Sequence, residues 1–84
     1  MRKLIEYIAR SLVDQPEAVQ VREMRNDRLV LALELRVAQE DFGKVIGRQG
    51  RVAKAMRSLL RSAGAKQGKH TSLEIDERPP LYTS

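Results

Sequence analysis

Leu29, Leu31, Leu33, Leu35 and Val37 occupy every second position of residues 28–37 without a break. Successive side chains of an extended chain point to opposite faces, so this spacing predicts a strand with one buried face. Glu34 and Arg36 fall on its other face. A shorter alternation precedes it, with Val19 and Val21 against Gln20 and Arg22. Between the two lies Asn26-Asp27, whose side chains bond nearby backbone and tolerate unusual φ. The two segments are predicted to form a hairpin.

Helical spacing takes over on either side. Leu4, Ile5, Ile8 and Leu12 mark an amphipathic helix over 2–13, which Asp14-Gln15-Pro16 ends because proline disfavours a helical residue before it. Residues 39–46 read as a short helix with Glu40 and Asp41 in its first turn and Phe42, Val45 and Ile46 on its apolar face. A second helix is predicted over 52–63. Its apolar face is Val52, Met56, Leu59, Leu60 and Ala63, with Ala55 alongside and Lys54, Arg57 and Arg61 opposite. Residues 64–69, Gly-Ala-Lys-Gln-Gly-Lys, form a flexible basic loop. Thr71, Leu73 and Ile75 then alternate with Ser72 and Glu74, giving a third strand over 71–76. The order α-β-β-α-α-β predicts a two-layer α+β domain, a three-stranded sheet with the helices packed on one face. At 84 residues there is room for one domain and one modest core, expected over 1–77 with a loose tail over 78–84.

The net charge of +5 is unevenly placed. Residues 1–40 carry seven basic and seven acidic side chains. Residues 41–69 carry eight basic ones (Lys44, Arg48, Arg51, Lys54, Arg57, Arg61, Lys66 and Lys69) against Asp41 alone. A segment that positive in an otherwise neutral chain points to a polyanionic partner; the plainer reading is a solvated helix face.

Several function classes fall away. The chain has no cysteine and one histidine, His70, which excludes a disulfide scaffold, a thiolate nucleophile and a zinc finger and leaves little for a metal site. No apolar run approaches the roughly 18 residues of a membrane span. The opening Met1-Arg2-Lys3-Leu4-Ile5 has a basic start, but Glu6 and Arg10 interrupt any signal-like apolar stretch, so a cytoplasmic protein is expected. Residues 64–69 are one residue short of a phosphate-binding G-x-x-x-x-G-K-[ST] loop, lack its hydroxyl, and precede a strand where that loop opens a helix. Glu74, Asp76 and Glu77 lack catalytic spacing and no nucleophile–base pair is present, so no catalytic residue and no cofactor are expected.

The chemistry concentrates in Lys44-Val45-Ile46-Gly47-Arg48-Gln49-Gly50-Arg51, between the two predicted helices. Two glycines around two polar residues allow a sharp reversal and let a foreign backbone come close. The helix that follows aims unpaired N–H groups and its positive dipole end at the turn, where a phosphate can sit. Arg48 adds charge and Gln49 a donor and an acceptor.

This segment resembles the GXXG loop of KH domains, which clamps about four nucleotides of single-stranded RNA or DNA. The element order resembles the type II KH arrangement. The longer stretch Glu40-Asp41-Phe42-Gly43-Lys44-Val45-Ile46-Gly47-Arg48-Gln49-Gly50-Arg51-Val52-Ala53-Lys54-Ala55 is similar to the small bacterial single-KH proteins of the KhpA type. The resemblance implies a groove between the helix–loop–helix and the sheet. Its floor would be Val45, Ile46 and Val52, one rim the strand over 29–37, and the loop 64–69 would be the KH variable loop. It also implies single-stranded RNA as partner (with single-stranded DNA left open), a homodimer or a heterodimer with a larger Jag/KhpB-type KH protein, no membrane, and a role as a small RNA chaperone or regulator linked to cell shape and cell-wall growth.

The expected RNA-binding residues are therefore Gly47, Arg48, Gln49, Gly50, Lys44, Arg51, Val45, Ile46, Lys66 and Lys69. Lys54, Arg57 and Arg61 are expected on the outer side of their helix, steering ligand without touching it. Three aromatic residues in the chain argue against RRM and cold-shock folds, which stack bases on several exposed rings. The competing class is a protein-interaction module, for which the mildly apolar outer sheet face at Val30 and Ala32 would serve; acids in the tetrad would have favoured it, and Arg48-Gln49 does not.

Overall fold

The computed structural model describes residues 1–77, and the tail expected over 78–84 lies outside the described residues. Strand β2 (Val30–Val37) is the middle of a three-stranded sheet, between β1 (Gln20–Asn26) and β3 (His70–Glu77). β1 pairs with it antiparallel, Val21 opposite Leu35, and β3 pairs with it parallel, Leu33 opposite Leu73. A parallel neighbour requires a crossover connection. Here it consists of α2 (Phe42–Ile46) and α3 (Arg51–Ala65), while α1 (Arg2–Leu12) enters ahead of β1. The order is the expected α-β-β-α-α-β in two layers, the arrangement that the type II KH resemblance implies.

The alternation over 28–37 does what it predicts. Leu31, Leu33, Leu35 and Val37 are buried, each contributing about 1.5–3 kcal/mol relative to an exposed side chain. With Ile5, Ala9, Val19, Val21, Val45, Met56, Leu60 and Leu73 they form one core, against which Phe42 and Val52 are partly buried. Leu29 lies before the strand and is 65% exposed. The turn follows the Asn26-Asp27 signal: Asp27 Oδ1 accepts the N–H groups of Leu29 and Val30, both at 2.9 Å. β1 continues past the Val19–Val21 alternation to Asn26, with a register shift between Glu23 and Arg25. Its second half is exposed, so no apolar spacing announced it.

Two expectations need correction. The buried face of α3 is Ala53, Met56, Leu60 and Gly64, whereas Leu59 is 49% exposed and Ala55 is exposed too. The helix also runs through Gly64, beyond the end at residue 63 that the spacing predicts. A Cβ at Gly64 would lie 2.3 Å from Thr71 Cγ2 and 3.2 Å from the Lys69 carbonyl oxygen, so glycine is what lets helix and strand approach here. The glycine marks a contact inside the helix, and the connection shrinks to residues 66–69. On the sheet's uncovered face, Glu34 is only 5% exposed. Arg22 and Arg36 bring their Nε atoms to 3.2 and 3.1 Å of its Oε1, the pairing a buried carboxylate requires.

Candidate nucleic-acid interface

The tetrad Gly47–Gly50 joins α2 to α3 through three residues in left-handed backbone conformations. Gly47 has φ 78° and ψ 173°, Gln49 φ 56° and ψ 25°, and Gly50 φ 74° and ψ 15°. Two hydrogen bonds shape the turn: the Gly47 N–H donates to the Gly43 carbonyl at 2.8 Å, and the Gly50 N–H to the Gly47 carbonyl at 3.1 Å. The two glycines answer different demands. A Cβ on Gly47 would stand 2.5 Å from Val52 Cγ2 and 2.9 Å from the Val52 nitrogen, so both space and φ require glycine. At Gly50 a Cβ would meet nothing within 4 Å; only φ requires it, and the surface above stays open to a ligand.

Gly50 is also the N-cap of the 15-residue α3. No side chain caps that end and no acidic residue occupies its first turn. The Gly50 and Arg51 N–H groups bond the Gly47 and Arg48 carbonyls, and the helix dipole behind them meets no acidic side chain and faces the loop where Arg48 and Gln49 are exposed. Along the helix, Arg51, Lys54, Arg57 and Arg61 continue the positive potential. None of them, nor Arg48, forms an ion pair among the described residues.

The rim of the groove differs from expectation. β2 is central and flanked on both sides, and the crossover places β3 at the edge beside α3. Between α3 and β3 opens a cavity of about 240 Å³ lined by Arg57, Leu60, Arg61, Thr71, Ser72 and Leu73. Arg57 Nε donates to the Leu73 carbonyl at 3.1 Å across it. Arg57 and Arg61 thus line the cleft, where the sequence reading put them on the outer side. The apolar-face assignment that placed Leu59 inward rotated the helix the wrong way. The spacing of Ala53, Met56, Leu60 and Gly64 would have given the right rotation had Gly64 been read as helical.

The expected site residues separate into three groups. Gly47, Arg48, Gln49, Gly50 and Arg51 come together at the turn, with Ile46 and Val52 half-buried beneath it. Val45 is 0% exposed, a core residue that supports the floor from below and offers no surface to a ligand. Lys66 is exposed at the far end of α3, and Lys69 Nζ bonds Asn26 Oδ1 at 2.8 Å.

Lys44 is directed elsewhere. Its ammonium bonds the carboxylates of Asp14 and Asp41, the latter at 3.2 Å. Asp41 is itself 0% exposed and accepts the backbone N–H groups of Asp14 and Gln15 at 3.2 and 3.0 Å. Burial pushes the Asp41 carboxyl up, but those two N–H groups and the Lys44 ammonium together outweigh it and hold the pKa below the ordinary carboxylate value. The Asp14 carboxylate first, then Asp41, holds the Lys44 ammonium above the ordinary lysine value, against its partial burial. This joint ties the segment after α1 to the start of α2, one turn from the tetrad.

No helix among the described residues is long and apolar enough to cross a membrane. Glu34, Glu74 and Asp76 bring carboxylate oxygens within 4.8 Å of one another on the face away from the cleft. Comparison with known proteins shows the family. A family model described as KhpA/KhpB, KH domain, matches residues 2–75. RNA-binding protein KhpA of Clostridium acetobutylicum is 51% identical over 75 residues, covering 89% of this chain and 99% of that one. RNA-binding protein KhpA of Aquifex aeolicus is 43% identical over 77 residues, covering 92% and 96%. Among solved structures, Era in complex with MgGDPNP and nucleotides 1506–1542 of 16S ribosomal RNA superposes with a TM-score of 0.66 at 17% identity. That match covers 93% of this chain and 30% of Era, a likeness of fold. Matched by the family model over most of its length and by relatives about half identical to it, the chain belongs to the KhpA/KhpB KH-domain family, which is not a family of enzymes.

Proposed function

We propose that residues 1–77 act as one KH unit that holds single-stranded RNA by its backbone across Gly47–Gly50 and along the cleft between α3 and β3. The observation that carries this is the uncapped, acid-free N-terminus of α3 beneath an exposed Arg48-Gln49 tip. The acid-free helix end brings its positive dipole to the turn that carries the Arg48 guanidinium, an arrangement that suits a phosphodiester. Arg51 and the cleft arginines Arg57 and Arg61 extend the path, and Ile46 and Val52 give it an apolar floor. Relatives named RNA-binding protein KhpA, and an Era structure that contains ribosomal RNA, support RNA as the polyanion.

A footprint of about four nucleotides gives weak binding with little sequence preference, so useful affinity calls for a second binding unit. A homodimer or a larger KhpB-type KH partner would supply it. A cytoplasmic RNA chaperone or regulator connected with cell shape and wall growth is the biological role we attach to this reading, from the family resemblance.

The test is an NMR titration with a short RNA of mixed sequence, repeated with DNA of the same sequence. Shifts should concentrate at residues 46–52 and along Thr71–Ile75. With about three phosphates neutralised, log K against log salt should fall with a slope of about −2. Arg48→Asp with Gln49→Asp should abolish the shifts at an unchanged fold. A flat salt response, or a double variant that binds as the parent does, would refute the backbone clamp. Silence at low salt would favour a protein-interaction module.

A further inference from the structure

We propose that the hairpin turn between β1 and β2, together with the loop 66–69, forms a second subsite that takes an unpaired nucleotide leaving the α3–β3 cleft. This rests on the groove reading above and extends it from the loop after α3 to the hairpin turn, at Arg28 and Leu29. The two loops lie at the same end of the sheet, because Val30 at the start of β2 pairs with His70 at the start of β3. They border a shallow, open concavity of about 740 Å³ lined by Asn26, Asp27, Arg28, Leu29, Gln67, Gly68 and Lys69.

The walls are tied together. Lys69 Nζ bonds Asn26 Oδ1 at 2.8 Å, and the Leu29 carbonyl accepts the His70 N–H at 2.8 Å. The concavity is thus held by contacts between its two sides. Its position follows from the groove: α3 is 15 residues long, about 22 Å, so a strand that starts at the tetrad and follows the helix reaches residues 66–69 at its end.

The lining supplies each kind of contact a nucleotide needs. Arg28 is exposed and has no ion pair or hydrogen bond among the described residues, so its guanidinium is available to a phosphate. Leu29, 65% exposed, is an apolar platform with nothing covering it, beside the exposed amide of Gln67 that can pair with a base edge. The one acid present does not cancel this. Asp27 is engaged by Arg25 at 2.6 Å and by the Leu29 and Val30 N–H groups, which lower its pKa to about 2.

The experiment measures affinity for a four-nucleotide and an eight-nucleotide RNA of the same composition, by fluorescence anisotropy, with the parent, Arg28→Ala, Leu29→Ser and the Arg48→Asp/Gln49→Asp double variant. The octamer offers more binding registers, so the contrast between variants is read and not the length effect alone. Arg28→Ala should weaken octamer binding about fivefold and lower its salt slope by about 0.7, the share of one phosphate on a single strand. Tetramer binding should stay within twofold. Leu29→Ser, which leaves the charge unchanged, should cost the octamer about threefold and the tetramer nothing. Losses equal at both lengths, or none at either, overturn the second subsite while the groove stands. If the parent binds neither RNA, or the loop double variant binds both as well as the parent, the groove reading fails and the subsite with it.

Discussion

Lys44, in the middle of the five-residue α2, and Arg48, two residues past its end, are used in opposite ways. Lys44 is locked between two carboxylates in a joint whose centre, Asp41, is fully buried. Arg48 is exposed on a turn and forms no ion pair among the described residues, ahead of a helix end without a side-chain cap. Asp41 is the only acid among residues 41–69. The chain places that acid inside, bonded to backbone, where it fixes α2 without diluting the positive potential of the groove. Charge in this segment is therefore of two kinds, and the distinction follows from what each cation can reach.

The largest effect comes from removing the platform that both regions share. Leu33→Asp places a carboxylate at the middle of the central strand, where no partner is within the core. Burying an unpaired charge costs several kcal/mol, comparable with the 5–15 kcal/mol that holds a domain together. The variant should show no cooperative thermal transition by circular dichroism. A folded Leu33→Asp protein would overturn the register of β2.

Next in size are the two glycines of the tetrad. Gly47→Ala suffers both the left-handed φ and the collision with Val52, and should lose about 2–3 kcal/mol by urea denaturation. Gly50→Ala suffers the φ alone and should lose about 1 kcal/mol. Equal losses would mean that the loop relaxes around Val52 and that the tight approach there is dispensable.

How far these features could be read in advance depended on whether geometry is local. The strand over 28–37, the Asn26-Asp27 turn and the Gly47–Gly50 reversal are set by residues adjacent in sequence, and the reading located all three. The roles of Lys44 and Arg57 are set by residues brought from far along the chain: Asp14 for the first, the edge position of β3 for the second. Which strand is central follows from the crossover, and once β2 took the middle the rim passed to β3. Gly64 misled because a glycine near a helix end usually marks its stop, while here it marks contact with Thr71. The buried joint at Asp41 had one sequence signal, a lone acid in a basic segment, and that signal read equally well as a first-turn residue.

The joint has its own signature in acid. Asp41 is held below the ordinary carboxylate value in the fold, so its contribution is complete above the unfolded value near 3.9 and is lost as pH falls through the folded one. The parent should lose stability on acidification below about pH 4, and Asp41→Asn should show a shallower loss there from a lower starting point. Lys44 gives the opposite edge: raised in the fold, it contributes below the unfolded value near 10.4 and loses this as pH rises through the folded one. Arg48→Ala should leave both limbs unchanged in urea titrations across pH. A shift in the acid limb on Arg48→Ala would mean that joint and turn are not the separate devices described.

The smallest expected effect isolates the tip. Gln49 is the one non-glycine residue with a left-handed φ among those described, at 56°. Gln49→Gly relieves about 1 kcal/mol of backbone cost and adds about 0.5–1 kcal/mol of unfolded-state entropy, so stability should change by no more than about 0.5 kcal/mol. Affinity answers a different question. If the Gln49 amide touches the ligand, RNA binding falls two- to threefold with stability unchanged and the salt slope intact, because no charge is lost. If affinity does not move, the tip works through Arg48 and the backbone alone. The left-handed residue then serves the shape of the turn, as Gly50 does, and the contrast with the locked joint rests on a single side chain.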